Sequence, residues 1–96
     1  MAAPVSQPRR ADLDIRNKKG LHARAAGLFV ETAKLFDAEV MVGKDGQVVN
    51  GRSIMGVMML AAEQGSEVEV TATGPQADEV LQALSELVAA RFHEDE

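Results

Sequence analysis

"ADLDIRNKKGLHARAAGLFVETA", Ala11 to Ala33, changes its hydrophobic period partway along. Over Ala11 to Asn17 apolar and polar residues alternate, with Leu13 and Ile15 on one side and Asp12, Asp14 and Arg16 on the other. That alternation is the mark of a half-buried strand. Lys18, Lys19 and Gly20 break it. From Ala23 the spacing becomes helical: Ala26, Phe29, Val30 and Ala33 fall at i, i+3, i+4 and i+7, with Phe36 one turn further on. This is one stripe of an amphipathic helix, predicted to run to about Leu35, with Glu31 and Lys34 on its flanks. A strand entering a helix through a glycine turn is the first unit of the fold.

The next stretch, "AEVMVGKDGQVVNG" (Ala38 to Gly51), returns to strand chemistry. Val40 and Val42 share an inward face, Lys44-Asp45-Gly46 is a hairpin turn, and Val48 and Val49 lie on the return strand. Asn50-Gly51 closes it. "RSIMGVMMLAAEQG" (Arg52 to Gly65) is apolar on nearly all sides between an N-cap residue, Ser53, and a terminator, Gly65. It predicts a short helix over about Ser53 to Ala62, weakened by Gly56 by about 1 kcal/mol relative to alanine. In "SEVEVTATG" Val68, Val70 and Ala72 alternate with Glu67, Glu69 and Thr71, and Gly74-Pro75 ends the strand. The last segment places Ala77, Val80, Leu81, Leu84 and Val88 on one stripe of a strong helix.

The predicted order is therefore β-α-β-β-α-β-α. Strands with one apolar face, and helices able to cover it, give an α+β fold: a two-layer open-faced sandwich built on a four-stranded antiparallel sheet. A chain of 96 residues is expected to form one domain. Residues 1–10, with two prolines and no periodicity, read as a flexible N-terminal arm. Residues 11–91 read as the domain, and 92–96 as an acidic C-terminal tail that includes His93, to which no role is assigned.

Composition narrows the function. There is no cysteine, so disulfides and thiolate metal sites are excluded. No apolar run is long enough to span a membrane. Arg9 and Arg10 follow rather than precede any apolar segment, which does not match a secretory signal. A cytoplasmic, monomeric protein without membrane insertion is the expectation. The net charge of −5 disfavours nucleic acid as a partner. Charge is nevertheless uneven: Arg9, Arg10, Arg16, Lys18, Lys19 and Arg24 crowd the first quarter, while the chain ends in "HEDE". That asymmetry points to a local anion site or an acidic partner surface.

His22 sits where the basic stretch meets the first helix. Serine, threonine, aspartate or asparagine would cap a helix better. Gly20 permits an unusual turn just before it, and the helix that follows directs its N–H groups and positive dipole end there. Lys18, Lys19 and Arg24 add positive charge. These features disfavour a divalent metal, since carboxylate ligands are not nearby. A hydrolytic triad is poorly supported as well, because no strand–nucleophile–helix motif accompanies Ser53. Beside a surface histidine with no task, a remaining option is uptake of a phosphoryl group by the neutral imidazole, with helix N–H groups and an arginine holding the dianion.

At this point "NKKGLHARAAGLFVETA" and "NGRSIMGVMMLAAEQGSEVEV" resemble HPr, the histidine-containing phosphocarrier family of the bacterial phosphotransferase system. The resemblance runs from about Ala11 to Arg91. It implies that His22 is the phosphoacceptor, carrying the group on Nδ1 (the pros nitrogen), and that Arg24 steadies it. It places Ser53 on a serine that a dedicated HPr kinase/phosphorylase modifies in some bacteria. Ile54, Met55 and Met58 fall on the apolar docking patch. Enzyme I, charged by phosphoenolpyruvate, would be the donor and enzyme IIA proteins the acceptors, with no cofactor. Independently of the resemblance, a short surface helix cannot bury every side, so part of this methionine-rich segment should be exposed, with Val57 and Leu60 packing beneath.

The chain departs from the common family pattern in three places. Ala25 stands where a proline usually follows the arginine, Lys19 where small polar residues are frequent, and Glu31 where sugar-transport members often have lysine. These features resemble the nitrogen-related branch, in which the relay regulates rather than imports sugar. Three functions are open at this stage: a stoichiometric phosphoryl carrier rather than an enzyme, a regulatory docking module of the nitrogen-related system, and a small enzyme with His22 as general base.

Overall fold

A computed structural model describes residues 7–94. Four strands form one antiparallel sheet: β1 (Arg9–Asp14), β2 (Glu39–Lys44), β3 (Gln47–Asn50) and β4 (Glu67–Thr73), in the spatial order β1-β4-β2-β3. Three helices alternate with them, α1 (Ala23–Ala33), α2 (Ile54–Met59) and α3 (Ala77–Ala89). The β-α-β-β-α-β-α order and the open-faced sandwich are those read from the sequence. β1 begins at Arg9, two residues ahead of the Ala11 boundary, while residues 1–6 of the arm lie outside the described residues.

The sheet is buried on one face because its alternations coincide across strands. Leu13 opposes Val68 between β1 and β4, and Val42 opposes Val70 on β4 and Val49 on β3. Val40, Val42, Val68, Val70 and Ala72 are all fully buried. The other face carries Arg10, Asp12 and Glu69, with Arg10 in ion pairs to both carboxylates at 3.1–3.2 Å. One registered set of apolar side chains therefore faces the helices and one set of charges faces outward.

α1 contributes Ala25, Ala26, Phe29, Val30 and Ala33 to the core, and α3 contributes Val80, Leu81, Leu84, Leu87 and Val88. α3 lies over β1 and β4, and α1 packs between α2 and α3. The β2–β3 connection is a two-residue turn with Asp45 at φ 52° and Gly46 at φ 84°, as Lys44-Asp45-Gly46 predicts.

α2 is shorter than its sequence suggests. It starts at Ile54 after Ser53, whose Oγ accepts the Gly56 N–H at 3.1 Å, but its helical residues end at Met59. Ala61 then turns to φ 50°, which no right-handed helix accommodates. Ala62 faces inward instead of continuing the helix and offers its carbonyl to the Leu21 N–H at 2.9 Å. Val57 and Leu60 are buried as expected, while Ile54, Met55 and Met58 are exposed.

Glycine is required at one of the two positions flanking His22 and not at the other. Gly20 has φ +65°, and a Cβ there would stand 2.3 Å from the Ala62 carbonyl oxygen. Gly27, inside α1, has nothing within 4 Å of a built Cβ. Gly20→Ala is therefore expected to lose about 2 kcal/mol of unfolding free energy, and Gly27→Ala to gain roughly 0.5–1 kcal/mol. Urea denaturation of the two variants checks the pair, and equal effects at both positions would contradict the close packing of Gly20 on Ala62.

Candidate functional site

The site is assembled where the β1–α1 loop lies on the α2–β4 loop. Gly20 turns the chain against Ala62, and Leu21 is pinned to it by the backbone bond. His22 follows as the N-cap of α1, with extended backbone at φ −71° and ψ 178°. Its carbonyl accepts the Ala26 N–H at 2.8 Å, so the helix is engaged through its backbone. Its side chain makes no capping bond and is left for another purpose. No acidic residue occupies the first turn of α1, so the positive end of the helix dipole is uncompensated within the helix.

The imidazole does not stand alone. Its Nε2 is hydrogen-bonded to a carboxylate oxygen of Glu94, 72 residues away in sequence. The other oxygen of Glu94 accepts from Asn17 Nδ2 at 3.1 Å, and the same Asn17 amide donates to the Gly20 carbonyl at 2.7 Å. Asn17 is fully buried, the sole buried polar side chain among the described residues. The side chain of His22 is 27% exposed and that of Glu94 14% exposed, so the contact is largely shielded from water.

Burial of the Glu94 carboxyl works to raise its pKa. The hydrogen bonds from His22 and Asn17, and the positive charges of His22 and Arg24, act the other way and leave it below the ordinary glutamate value. Arg24, exposed on the first turn of α1, thus contributes to the electrostatics of the same site.

Glu94 reaches His22 through an unusual piece of backbone. Arg91, Phe92 and His93 have φ of 56°, 54° and 60°, three consecutive non-glycine residues in the left-handed region. Each such residue costs about 1–2 kcal/mol. Phe92 is fully buried in the main core, which offsets part of that cost and anchors the turn. Glu94 then returns to extended backbone and points its carboxylate at Asn17 and His22. In the stretch read as an acidic tail, Phe92 and Glu94 are packed against the domain, His93 is exposed, and residues 95 and 96 lie outside the described residues.

A shallow groove of about 680 Å³ runs from His22 past Leu21, Lys18 and Lys19 to Met58 and Gln64. The structure thus joins His22 to the methionine segment. Ser53 lies outside the lining of this groove, at the far end of α2. Ile54 is 44% exposed, Met55 69% and Met58 38%, and Met59, which the sequence reading left out of the patch, is 64% exposed. Asn17 and Glu94 were also missed. The Asn17 to Gly20 spacing carried a turn signal, but nothing in the sequence around Glu94 indicated a partner.

An open-faced α+β sandwich that presents a single imidazole at the start of its first helix, beside an apolar rim, is the architecture of small histidine phosphocarriers. The family model for the PTS HPr component phosphorylation site matches residues 10–90. The phosphocarrier protein HPr of Neisseria meningitidis is 45% identical over 87 residues, spanning 91% of this chain and 98% of that protein. Among solved structures, HPr-C-His from Thermoanaerobacter tengcongensis is 42% identical with a TM-score of 0.88, covering 92% of this chain and 99% of that one. An HPr dimer from the same organism is 45% identical with a TM-score of 0.73, covering 85% and 94%. The chain belongs to the HPr family of phosphocarrier proteins of the phosphotransferase system.

The Glu94 contact sets a pH dependence. A carboxyl whose pKa is lowered on folding stabilises the fold above its unfolded value, and that contribution is lost as pH falls through the lower folded value. Wild type is therefore expected to exceed Glu94→Ala in unfolding free energy at neutral pH, and the difference to close below the ordinary glutamate value of about 4.3. Denaturation curves of both proteins at neutral and acid pH measure this. A difference that stays constant across that range would contradict the contact.

Proposed function

We propose that His22 accepts a phosphoryl group on Nδ1 from phospho-enzyme I and passes it to enzyme IIA proteins, acting as a stoichiometric cytoplasmic carrier and as a monomer. The supporting observation is the placement of His22 at the N-terminus of α1, whose own first turn carries no acidic residue, at the head of a groove that leads to an exposed methionine rim. Backbone N–H groups and the positive helix end favour a dianion there. Arg24, two residues on and exposed on the first turn of α1, steadies the transferred group in this reading by a charge-assisted hydrogen bond. A monomer presents this surface complete, although a related HPr has been solved as a dimer.

Docking is assigned to Ile54, Met55 and Met58. These side chains are apolar and exposed, and methionine adapts to partners of different shape. A carrier must seat a donor and then an acceptor on one face, which suits such a surface. Ser53 at the N-cap of α2 is the proposed regulatory phosphorylation site for an HPr kinase/phosphorylase. A phosphate there meets the positive end of α2, so it inhibits by adding charge beside Ile54 and Met55 rather than by melting the helix. The alternative reading is a docking regulator of the nitrogen-related system. Ala25, which is buried in place of the usual proline, and the exposed Glu31 of α1 favour it.

Incubation with phosphoenolpyruvate and enzyme I tests the carrier reading. The expected outcome is one acid-labile phosphoryl group per chain, lost in His22→Ala. Arg24→Ala should slow transfer while changing stability by no more than about 0.5 kcal/mol. A wild-type protein that docks enzyme I and takes up no phosphoryl group would leave the regulator reading in its place.

Met55→Glu and Ser53→Asp probe docking. Both put a carboxylate on or beside the apolar patch, where desolvating a charge is costly. Both should weaken binding to enzyme I, measured by titration calorimetry, with melting temperatures close to wild type. Unfolding of Met55→Glu would show that Met55 is a packing residue and would remove it from the patch.

A further inference from the structure

The hydrogen bonds around His22 have a direction that is fixed at one end. The Gly20 carbonyl can only accept, so the Asn17 group facing it at 2.7 Å is the amide nitrogen. That same nitrogen faces Glu94 Oε1 at 3.1 Å and donates to it as well. The second oxygen, Oε2, faces His22 Nε2. An ionised carboxylate only accepts, so the proton between them belongs to the imidazole. The lowered pKa of Glu94 keeps it ionised. In the neutral imidazole, the chain of bonds therefore places the one ring proton on Nε2 and leaves the lone pair on Nδ1.

We propose that Glu94 is a positioning residue for phosphoryl transfer: oriented by Asn17 and by the left-handed turn Arg91–His93, its carboxylate fixes the His22 tautomer in which Nδ1 is the nucleophile. The proposal rests on the reading of His22 as phosphoacceptor. In the forward step the Nδ1 lone pair forms the new N–P bond. The bond between phosphorus and the donor breaks, and its electron pair stays with the donor. The Nε2 proton remains in place, so the ring becomes a phosphoimidazolium whose positive charge faces the Glu94 carboxylate. On handing the group to an acceptor nucleophile, the N–P electron pair returns to Nδ1 and the starting tautomer is restored. No proton has to leave or re-enter the ring in either direction.

The strained backbone supports this assignment. Three consecutive non-glycine residues with positive φ, locked by the buried Phe92, are a costly way to end a helix. Their consequence is that Glu94 meets both Asn17 and His22.

The test compares Glu94→Gln with Glu94→Ala in the full chain. Asn17 holds Oε1 of the side chain, so the glutamine amide turns its NH₂ toward the ring. It then donates to Nε2 and drives the proton onto Nδ1, the wrong tautomer. Alanine merely frees the ring. The larger and more conservative side chain should therefore do more harm. We expect ¹⁵N spectra of the unphosphorylated protein to show the Nε2–H tautomer in wild type and a shift to Nδ1–H in Glu94→Gln. Transfer from phospho-enzyme I should be slowed about tenfold or more in Glu94→Gln, and by a smaller factor in Glu94→Ala. A purely structural role would rank the two variants the other way. Wild type with its proton on Nδ1, or Glu94→Gln transferring at least as fast as Glu94→Ala, would overturn the proposal. If wild type accepts no phosphoryl group at all, the carrier reading fails, and the spectra alone decide whether Glu94 sets the tautomer.

Discussion

Two loops lying against each other hold the functional end of this molecule together. The Leu21 N–H bonds the Ala62 carbonyl at 2.9 Å, the Ile15 N–H bonds the Ser66 carbonyl at 2.8 Å, and the Gly65 N–H bonds the Ile15 carbonyl at 2.8 Å. These bonds extend the β1–β4 pairing beyond the last sheet residues and carry it up to His22. The approach is close enough to exclude a side chain at Gly20. Because α2 ends in one of these loops and α1 begins from the other, the same seam sets the distance between His22 and the methionine rim. A carrier that presented this imidazole and this rim to one partner at once would need that distance constant.

The fold was legible in the sequence because its core is periodic. The alternations at Leu13 and Ile15, at Val40 and Val42, and at Val68, Val70 and Ala72 are each buried on one face of the sheet. The helix stripes at Ala26, Phe29, Val30 and Ala33, and at Val80, Leu81, Leu84 and Val88, are buried as well. Such patterns are local, and the hydrophobic effect that they report acts on area regardless of which partner covers it. The place of His22 at the start of α1 was legible for the same reason: a glycine turn, a helix start and a run of basic residues are neighbours in the chain.

Asn17 and Glu94 were not legible, and the reason is physical. Their bond joins residues 77 apart, and one carboxylate in an acidic run looks like any other. The sequence placed Glu94 in a tail because "HEDE" has no hydrophobic period. Its docking depends on Phe92, one apolar residue past the end of α3, which becomes an anchor only if the backbone adopts three left-handed residues. Sequence propensity argues against that conformation at Arg91 and most of all at the bulky Phe92. The end of α2 is the same case on a smaller scale. Ala61 has every propensity to continue the helix, and the turn at φ 50° follows from the Leu21–Ala62 bond, a tertiary constraint.

If His22 is the phosphoacceptor proposed above, the carboxylate beside it also bears on how long the phosphoryl group is kept. A phosphohistidine dianion at His22 would be stabilised by the helix N-terminus and by Arg24, and it would be repelled by Glu94. The phosphoimidazolium ring would be attracted by Glu94 through Nε2. These effects oppose each other within one side chain's reach, so the carboxylate favours the ring cation while disfavouring the phosphate on it. A site with only positive groups would hold the phosphoryl group tightly and release it slowly. A site with the carboxylate alone would never collect it. The geometry places the acid on the Nε2 side of the ring, where it meets the cation directly. It places Arg24 on the first turn of α1, where its charge also acts on the acid. Transfer in both directions needs this balance, because a carrier gains nothing from binding the group more tightly than its donor or its acceptor does.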